Sequence, residues 1–162
     1  MAPFEDARLL AATGCLTEAH RTLDGLIASD PDHLGAVLLK ARLLLDARES
    51  AEALALFRQA ARRWERSSEA LNGLALCLHA LGLDDESLAF AERARDLLGE
   101  GDNARETGPV YLTLVFCLRE KRLFREALAV AEEGLARCAD AVLAHWAGIV
   151  EEELAEAEKE RC

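Results

Sequence analysis

Apolar residues recur along the chain at a spacing that predicts amphipathic helices. In the segment AEALALFRQAARRW, Ala53, Phe57 and Ala60 fall on one face of a helix, because residues three and four apart face the same side. A small residue followed by such a stripe occurs four times, at intervals of 34, 34 and 40 residues. These anchor residues are Ala19, Ala53, Ser87 and Ala127. A regular interval of this size predicts a helical-repeat protein.

Each anchor residue is preceded by a break in the pattern and, before that break, by another apolar helix. The breaks are Thr13-Gly14, Ala47-Arg48, Leu81-Gly82 and Lys121-Arg122. The pattern therefore predicts helix-turn-helix units over about residues 1–31, 34–66, 68–98 and 108–139. The polar, glycine-rich stretch 99–108 is predicted to be an insertion loop, and 141–160 a final helix that caps the stack. The alternatives for this helix are a dimer contact or a tail that folds over the binding surface.

This unit resembles the tetratricopeptide repeat, in which Leu-Gly, Tyr, Ala-x-x-x-Phe and a closing Pro recur every 34 residues. Ala53 with Phe57, Gly82 and Pro31 match that pattern. The resemblance implies an all-α fold, a right-handed α-solenoid of about four units plus a C-terminal capping helix. The whole chain, 1–162, is then expected to form one domain. A composition with 51% hydrophobic and only 5% aromatic residues agrees with helices that pack on one another.

The charge distribution argues against nucleic acid and membrane surfaces as partners. The formal net charge is −11, and residues 82–162 hold 19 acidic against 10 basic side chains. A surface of this sign repels phosphate backbones and anionic lipids. The amino end lacks the basic start and apolar core of a signal peptide, and no apolar run approaches the length of a membrane span. We therefore expect a cytoplasmic protein that does not insert into membranes.

The sequence contains no recognisable catalytic or metal-binding motif. The four histidines lack metal-ligand spacing, no C-x-x-C pair occurs, and no phosphate-binding glycine loop or nucleophile motif is present. We expect no enzymatic activity, no cofactor and no metal. The competing hypothesis is an enzyme that uses Cys77 with the nearby His79. Against it, Cys77 and Cys117 occupy the same interior position of successive units, where a small buried residue is expected.

The resemblance also implies a binding surface, because first helices of successive tetratricopeptide units line a concave groove that takes peptides. Alignment places ten residues on that wall: Leu38, Leu39, Arg42, Leu45, Asn72, Leu76, His79, Leu112, Phe116 and Arg119. Most are apolar, and an exposed patch of this size is normally covered. We therefore predict a non-catalytic interaction module, or scaffold, that binds an apolar or amphipathic segment of a partner protein in its groove.

Two alternatives to this prediction stay open. The wall can be covered by a second copy, which would make the protein a self-associating scaffold and a homo-oligomer. The stretch GLALCLHALG also resembles small acidic secretion chaperones, which hold apolar client segments. The subclass that clamps a free peptide carboxylate is not expected, because only one of the matching positions is basic. Those positions hold Phe4, Arg8, Leu39, Glu69 and Gly73.

Overall fold

The computed structural model describes residues 2–99 and 104–160, and all regular structure within those ranges is α-helical. The all-α, helical-repeat fold expected from the periodicity is thereby confirmed. The chain contains two compact units, Met1–Glu65 and Arg66–Cys162, and each is described by itself. That residues 1–162 form one domain stays a prediction. None of the described helices is long and apolar enough to cross a membrane.

Unit 1 consists of two helical hairpins. Its helices are α1 (Pro3–Ala12), α2 (Leu16–Ser29), α3 (Leu34–Asp46) and α4 (Ser50–Arg63). The first hairpin packs on the second through contacts of α1 and α2 with α3. Ala19 and Leu23 of α2 are fully buried there, together with Ala7 of α1 and Ala36 of α3. These small residues let the helix axes come close, and Leu23 fills the space between them.

Unit 2 contains two further hairpins and a final helix. Its helices are α5 (Ser68–Ala80), α6 (Asp84–Asp96), α7 (Ala104–Glu120), α8 (Phe124–Arg137) and α9 (Ala141–Glu160). Helix α9 packs against α8 and α7, with Leu143 and Val150 fully buried. Its exposed side carries most of its glutamates. This arrangement, apolar towards the repeats and polar outwards, is that of a helix that ends a stack.

The four predicted breaks adopt the same turn conformation. Each turn has one residue in the left-handed region, with φ of +80° at Gly14, +62° at Arg48, +74° at Gly82 and +58° at Arg122. The next residue donates its N–H to the carbonyl five residues back, which closes a Schellman motif. These bonds run from Cys15 to Leu10, Glu49 to Leu44, Leu83 to Leu78 and Leu123 to Leu118. Two of the turns therefore place an arginine where glycine is favoured.

Helix α7 begins earlier than the sequence pattern suggested. The insertion loop was predicted over 99–108, of which residues 100–103 lie outside the described residues. From Ala104 onwards the chain is helical, and Pro109 lies inside the helix. The residues from Ala104 to Glu106 have no strong preference against a helix. Thr107 is buried in unit 2, so packing favours a helix that begins before Pro109. Gly108 lies against Asp140, where an added Cβ would come within 2.5 Å of Oδ2.

Candidate functional site

The predicted binding residues fall in both units, and each group is described within its own unit. In unit 1, Leu38 is buried, with only 3% of its surface accessible. Leu39 packs against the unit's core, and Leu45 is half-buried. Arg42 is the exposed residue of this group. A substitution at Leu38 would therefore mainly disturb the packing of the core of unit 1 and would change little of its surface.

In unit 2, an aromatic row crosses three helices. The imidazole of His79 in α5 stacks on the ring of Phe116 in α7, with centroids 6.0 Å apart. The ring centroids of Phe116 and of Trp146 in α9 lie 4.8 Å apart, in a T-shaped arrangement. These geometries are within the favourable range for aromatic pairs. The row joins one half-buried ring from each of the helices α5, α7 and α9.

Leu76 and Leu112 extend this row on the same helices, and both are half-buried. We call the surface made by Leu76, His79, Leu112, Phe116, Arg119 and Trp146 the α5–α7–α9 face. Its apolar side chains are half-buried. Such a surface can gain further burial from an apolar side chain of another molecule.

Arg119 is held by α9. Its Nε lies 3.0 and 2.8 Å from the two carboxylate oxygens of Glu153, and its Nη2 donates to Oε1 at 2.6 Å. The guanidinium also reaches Glu120 at 3.3 Å and lies 5.5 Å from the ring centroid of Trp146. The hydrogen bond to Glu153 raises the pKa of Arg119 above its ordinary value. Arg119 therefore stays protonated, and its positive charge is balanced by the carboxylate of Glu153, which also fixes the orientation of the guanidinium.

Two further polar groups lie beside the face. His79 Nδ1 is 2.7 Å from Oδ1 of Asp84, the first residue of α6, so this contact fixes the orientation of the imidazole. Asn72, one turn before Leu76, is buried, and no described residue donates a hydrogen bond to its Oδ1. An unsatisfied buried acceptor costs about 1–3 kcal/mol, so a donor there would be stabilising.

Two thiols of unit 2 are shielded from solvent. Cys77 and Cys117 are fully buried. Cys117 Sγ lies 3.0 Å from the Ser87 hydroxyl, and burial raises the pKa of this thiol. The thiolate, which is the nucleophile, is therefore disfavoured at neutral pH. Within the described residues, no cluster of three or more His, Cys, Asp or Glu could hold a metal ion.

Comparison with known proteins identifies the family. The family model of the tetratricopeptide repeat matches residues 4–58 and 38–102, which together span more than half of the chain. The chain belongs to the tetratricopeptide repeat family. Tetratricopeptide repeats generally act as non-catalytic modules of protein–protein interaction. No curated protein matches the chain.

Solved structures of other tetratricopeptide proteins share the fold. TTC0263 from Thermus thermophilus superposes with a TM-score of 0.76 at 19% identity, over 95% of this chain and 80% of that one. YrrB, a TPR protein with an unusual peptide-binding site, gives 0.66 at 20% identity, over 98% and 76%. MamA from Desulfovibrio magneticus RS-1, residues 41 to end, gives 0.68 at 18% identity, over 83% and 73%. At these identities the likeness establishes the tetratricopeptide fold alone.

Two residues of the α5–α7–α9 face and its surroundings were absent from the sequence prediction. Trp146 and Glu153 both lie on α9, whose residues were not assigned to the binding wall by the alignment with tetratricopeptide repeats. A signal for Glu153 was present in the chain, because Arg119 and Glu153 are 34 residues apart, one repeat length. Residues of opposite charge at that interval, on α7 and α9, would have indicated the ion pair.

Proposed function

We propose that this protein is a non-catalytic interaction module whose α5–α7–α9 face binds an apolar or amphipathic segment of another protein. The observation that carries the proposal is the row of half-buried rings formed by His79, Phe116 and Trp146. A cytoplasmic setting is part of the proposal. It is consistent with four free thiols among the described residues.

The chemistry of this face favours side-chain burial over salt-bridge recognition. Its apolar groups come from three helices, so a segment lying across them would contact each in turn. Burying such surface contributes about 25 cal/mol per Å² of apolar area removed from water. A handful of rings and leucines can therefore supply most of the binding energy, as in other interfaces dominated by a few anchor residues.

Carboxylate clamping receives no support from these residues. Arg119 already serves as the counter-ion of Glu153, with Glu120 close by. A free peptide carboxylate would have to compete with a bidentate ion pair that is already formed, at the cost of leaving Glu153 unpaired. The proposal therefore places the anchor on the rings and not on this arginine.

The test is to select binders from a displayed random-peptide library and to measure the enriched peptides by fluorescence anisotropy. Replacing Phe116 by Ala removes the central ring, and we expect affinity to fall roughly tenfold or more, as for truncation of an interface anchor. Circular dichroism and urea unfolding check that the variant is folded.

Phe90 provides the matched control. It is also half-buried in unit 2 and lies beneath an arginine, Arg93, whose guanidinium is 5.4 Å from its ring centroid. However, Phe90 is on α6, a second helix of a repeat, and outside the α5–α7–α9 face. Phe90→Ala should leave peptide affinity within about twofold of the wild type. If both alanine variants bind the selected peptides as well as the wild type does, the binding surface lies elsewhere and the proposal is wrong.

A further inference from the structure

The final helix of unit 2, α9, changes character at its midpoint. Residues 141–150 contain no Asp, Glu, Lys or Arg, whereas residues 151–160 contain six glutamates and one lysine. The first half packs on the repeats through Leu143 and Val150, both of which are fully buried. Among the described residues, the apolar cluster around Tyr111 includes nothing of α9 beyond Val150. The two halves of α9 are therefore attached to unit 2 by different means.

Two ion pairs fasten the second half. Glu153 accepts hydrogen bonds from Arg119 of α7, the shortest at 2.6 Å, and Glu158 accepts one from Arg125 of α8, also at 2.6 Å. The first pair is partly shielded from solvent, but the side chains of Arg125 and Glu158 are 75% and 50% exposed. Because an exposed ion pair contributes little to stability, the second half depends mainly on the contact of Glu153 with Arg119.

A cleft of about 450 Å³ lies between the second half of α9 and the start of α8. Leu154 and Ala157 line it from α9, and Leu123 and Phe124 line it from the other side. None of these four apolar side chains is buried. Packing at this end of unit 2 is therefore incomplete, and apolar burial holds the second half of α9 only weakly.

The sequence of the second half also opposes a stable helix. Glu152, Glu156 and Glu160 are exposed and spaced four residues apart, and like charges at this spacing repel one another. The C-terminus of a helix carries partial negative charge, which further disfavours glutamates there. Segments with few buried apolar contacts open at the lowest free energy, so this half should open before the rest of α9.

We infer that residues 151–160 form a latch, which opens as a unit while α7, α8 and the first half of α9 stay folded. Opening breaks both ion pairs, uncovers Leu123 and Phe124, and separates the guanidinium of Arg119 from Glu153. Since Arg119 belongs to the α5–α7–α9 face, the latch determines whether the positive charge on that face is balanced. The inference concerns a movement of this chain and does not depend on the identity of a partner.

Amide hydrogen exchange of the intact ¹⁵N-labelled protein, followed residue by residue by NMR, measures the opening. The amides of 155–160 bond to carbonyls within the latch, so they should share one opening equilibrium. We expect it to be roughly tenfold or more larger than that of 147–150. Protection that fell steadily towards Glu160 would indicate ordinary fraying of a helix end and would overturn the inference, as would equal protection of both halves.

Substitutions outside the latch test what fastens it. Arg119→Met should raise the opening equilibrium roughly tenfold and Arg125→Met about two- to fivefold, because the first pair is bidentate and the second exposed. Arg93→Met is the matched control, since Arg93 lies on α6 over the ring of Phe90 and its loss changes the net charge equally. That variant should leave exchange of 155–160 within about twofold of the wild type.

A substitution within the latch should act in the opposite direction. Glu156→Lys replaces two repulsions by attractions to Glu152 and Glu160 and places a cation near the helix C-terminus, so exchange should slow roughly fivefold. Glu132→Lys, at an exposed position of α8, makes the same change in net charge and should have little effect on the latch.

The outcomes separate this inference from the proposed function. If Arg119→Met and Arg125→Met accelerate exchange no more than Arg93→Met does, or if Glu156→Lys slows it no more than Glu132→Lys does, the latch inference is wrong. Loss of library-peptide affinity in Phe116→Ala would support the proposed function in either case. Circular dichroism checks that each variant is folded.

Discussion

Replacing Gly134 by Ala should destabilise unit 2, although alanine is the better helix former. Gly134 lies in α8 against Tyr111 and Leu143, both of which are fully buried. An added Cβ would lie 2.6 Å from Cγ and 2.8 Å from Cβ of Tyr111, and 2.7 Å from Cδ2 of Leu143. Since carbon atoms pack at about 3.5–4.0 Å, α7 and α8 would have to separate by roughly 1 Å.

Tyr111 cannot easily rotate away from this contact. Its hydroxyl donates to Glu133 at 2.6 Å and lies 3.2 Å from Nη1 of Arg137, so both ends of the side chain are fixed. Overpacking of this kind costs about 1–3 kcal/mol. Alanine returns about 1 kcal/mol of helix propensity. We expect a net loss of up to about 2 kcal/mol in the free energy of unfolding.

Urea unfolding followed by far-ultraviolet circular dichroism measures this loss as a lower midpoint at an unchanged slope. Gly25→Ala is the matched control, because Gly25 is also inside a helix, α2, and an added Cβ there meets nothing within 4 Å. That variant should gain up to about 1 kcal/mol. Tyr111→Leu should partly rescue Gly134→Ala, since the preceding repeat pairs Leu71 with Ala94 at these positions. Equal stabilisation by both alanine variants would refute the packing argument.

Three other predictions concern the turns, the thiols and the single tyrosine. Arg122→Gly should raise the free energy of unfolding by about 0.5–1 kcal/mol, because φ is +58° there, whereas Gly82→Ala should lower it in the same urea assay. In the folded protein, iodoacetamide should modify exposed Cys15 quickly and buried Cys117 only after urea is added, as read by peptide mass spectrometry. Burial raises the pKa of Tyr111, so its tyrosinate absorbance should titrate above about pH 10 when folded, and its stabilising contribution, complete at lower pH, should be lost as pH rises through that value.

The repeat pattern predicted the hairpins because their determinants are local. A small residue every 34 or 40 residues and a break before it are enough to place two helices and the turn between them. Arg48 and Arg122 fall at predicted breaks, but their left-handed backbone conformation is imposed by the Schellman hydrogen bonds and is not encoded by the residue type. The turn position could therefore be predicted, whereas the strain within it could not.

The candidate site was predictable only in part. His79 stacks on Phe116, and Arg119 lies near Trp146, but that these residues bind a partner stays a prediction. Leu38 was assigned to the wall by alignment and is buried in the structure. Helix α3 has apolar residues on most of its sides, so periodicity alone cannot tell which side faces the core. The contribution of Trp146 depends on how α9 packs across α7, which no repeat motif specifies.

The most direct test of the binding face uses the two tryptophans of the chain. Trp146 belongs to the α5–α7–α9 face, whereas Trp64 directly follows α4 in unit 1, and each lies near an arginine. Their indole N–H groups give separate signals in a ¹⁵N-labelled sample, which we would titrate with a peptide enriched from the random-peptide library. The account predicts that the Trp146 signal shifts as the peptide saturates while the Trp64 signal stays in place. Saturable binding that moves only the Trp64 signal, or neither signal, would contradict the proposed face.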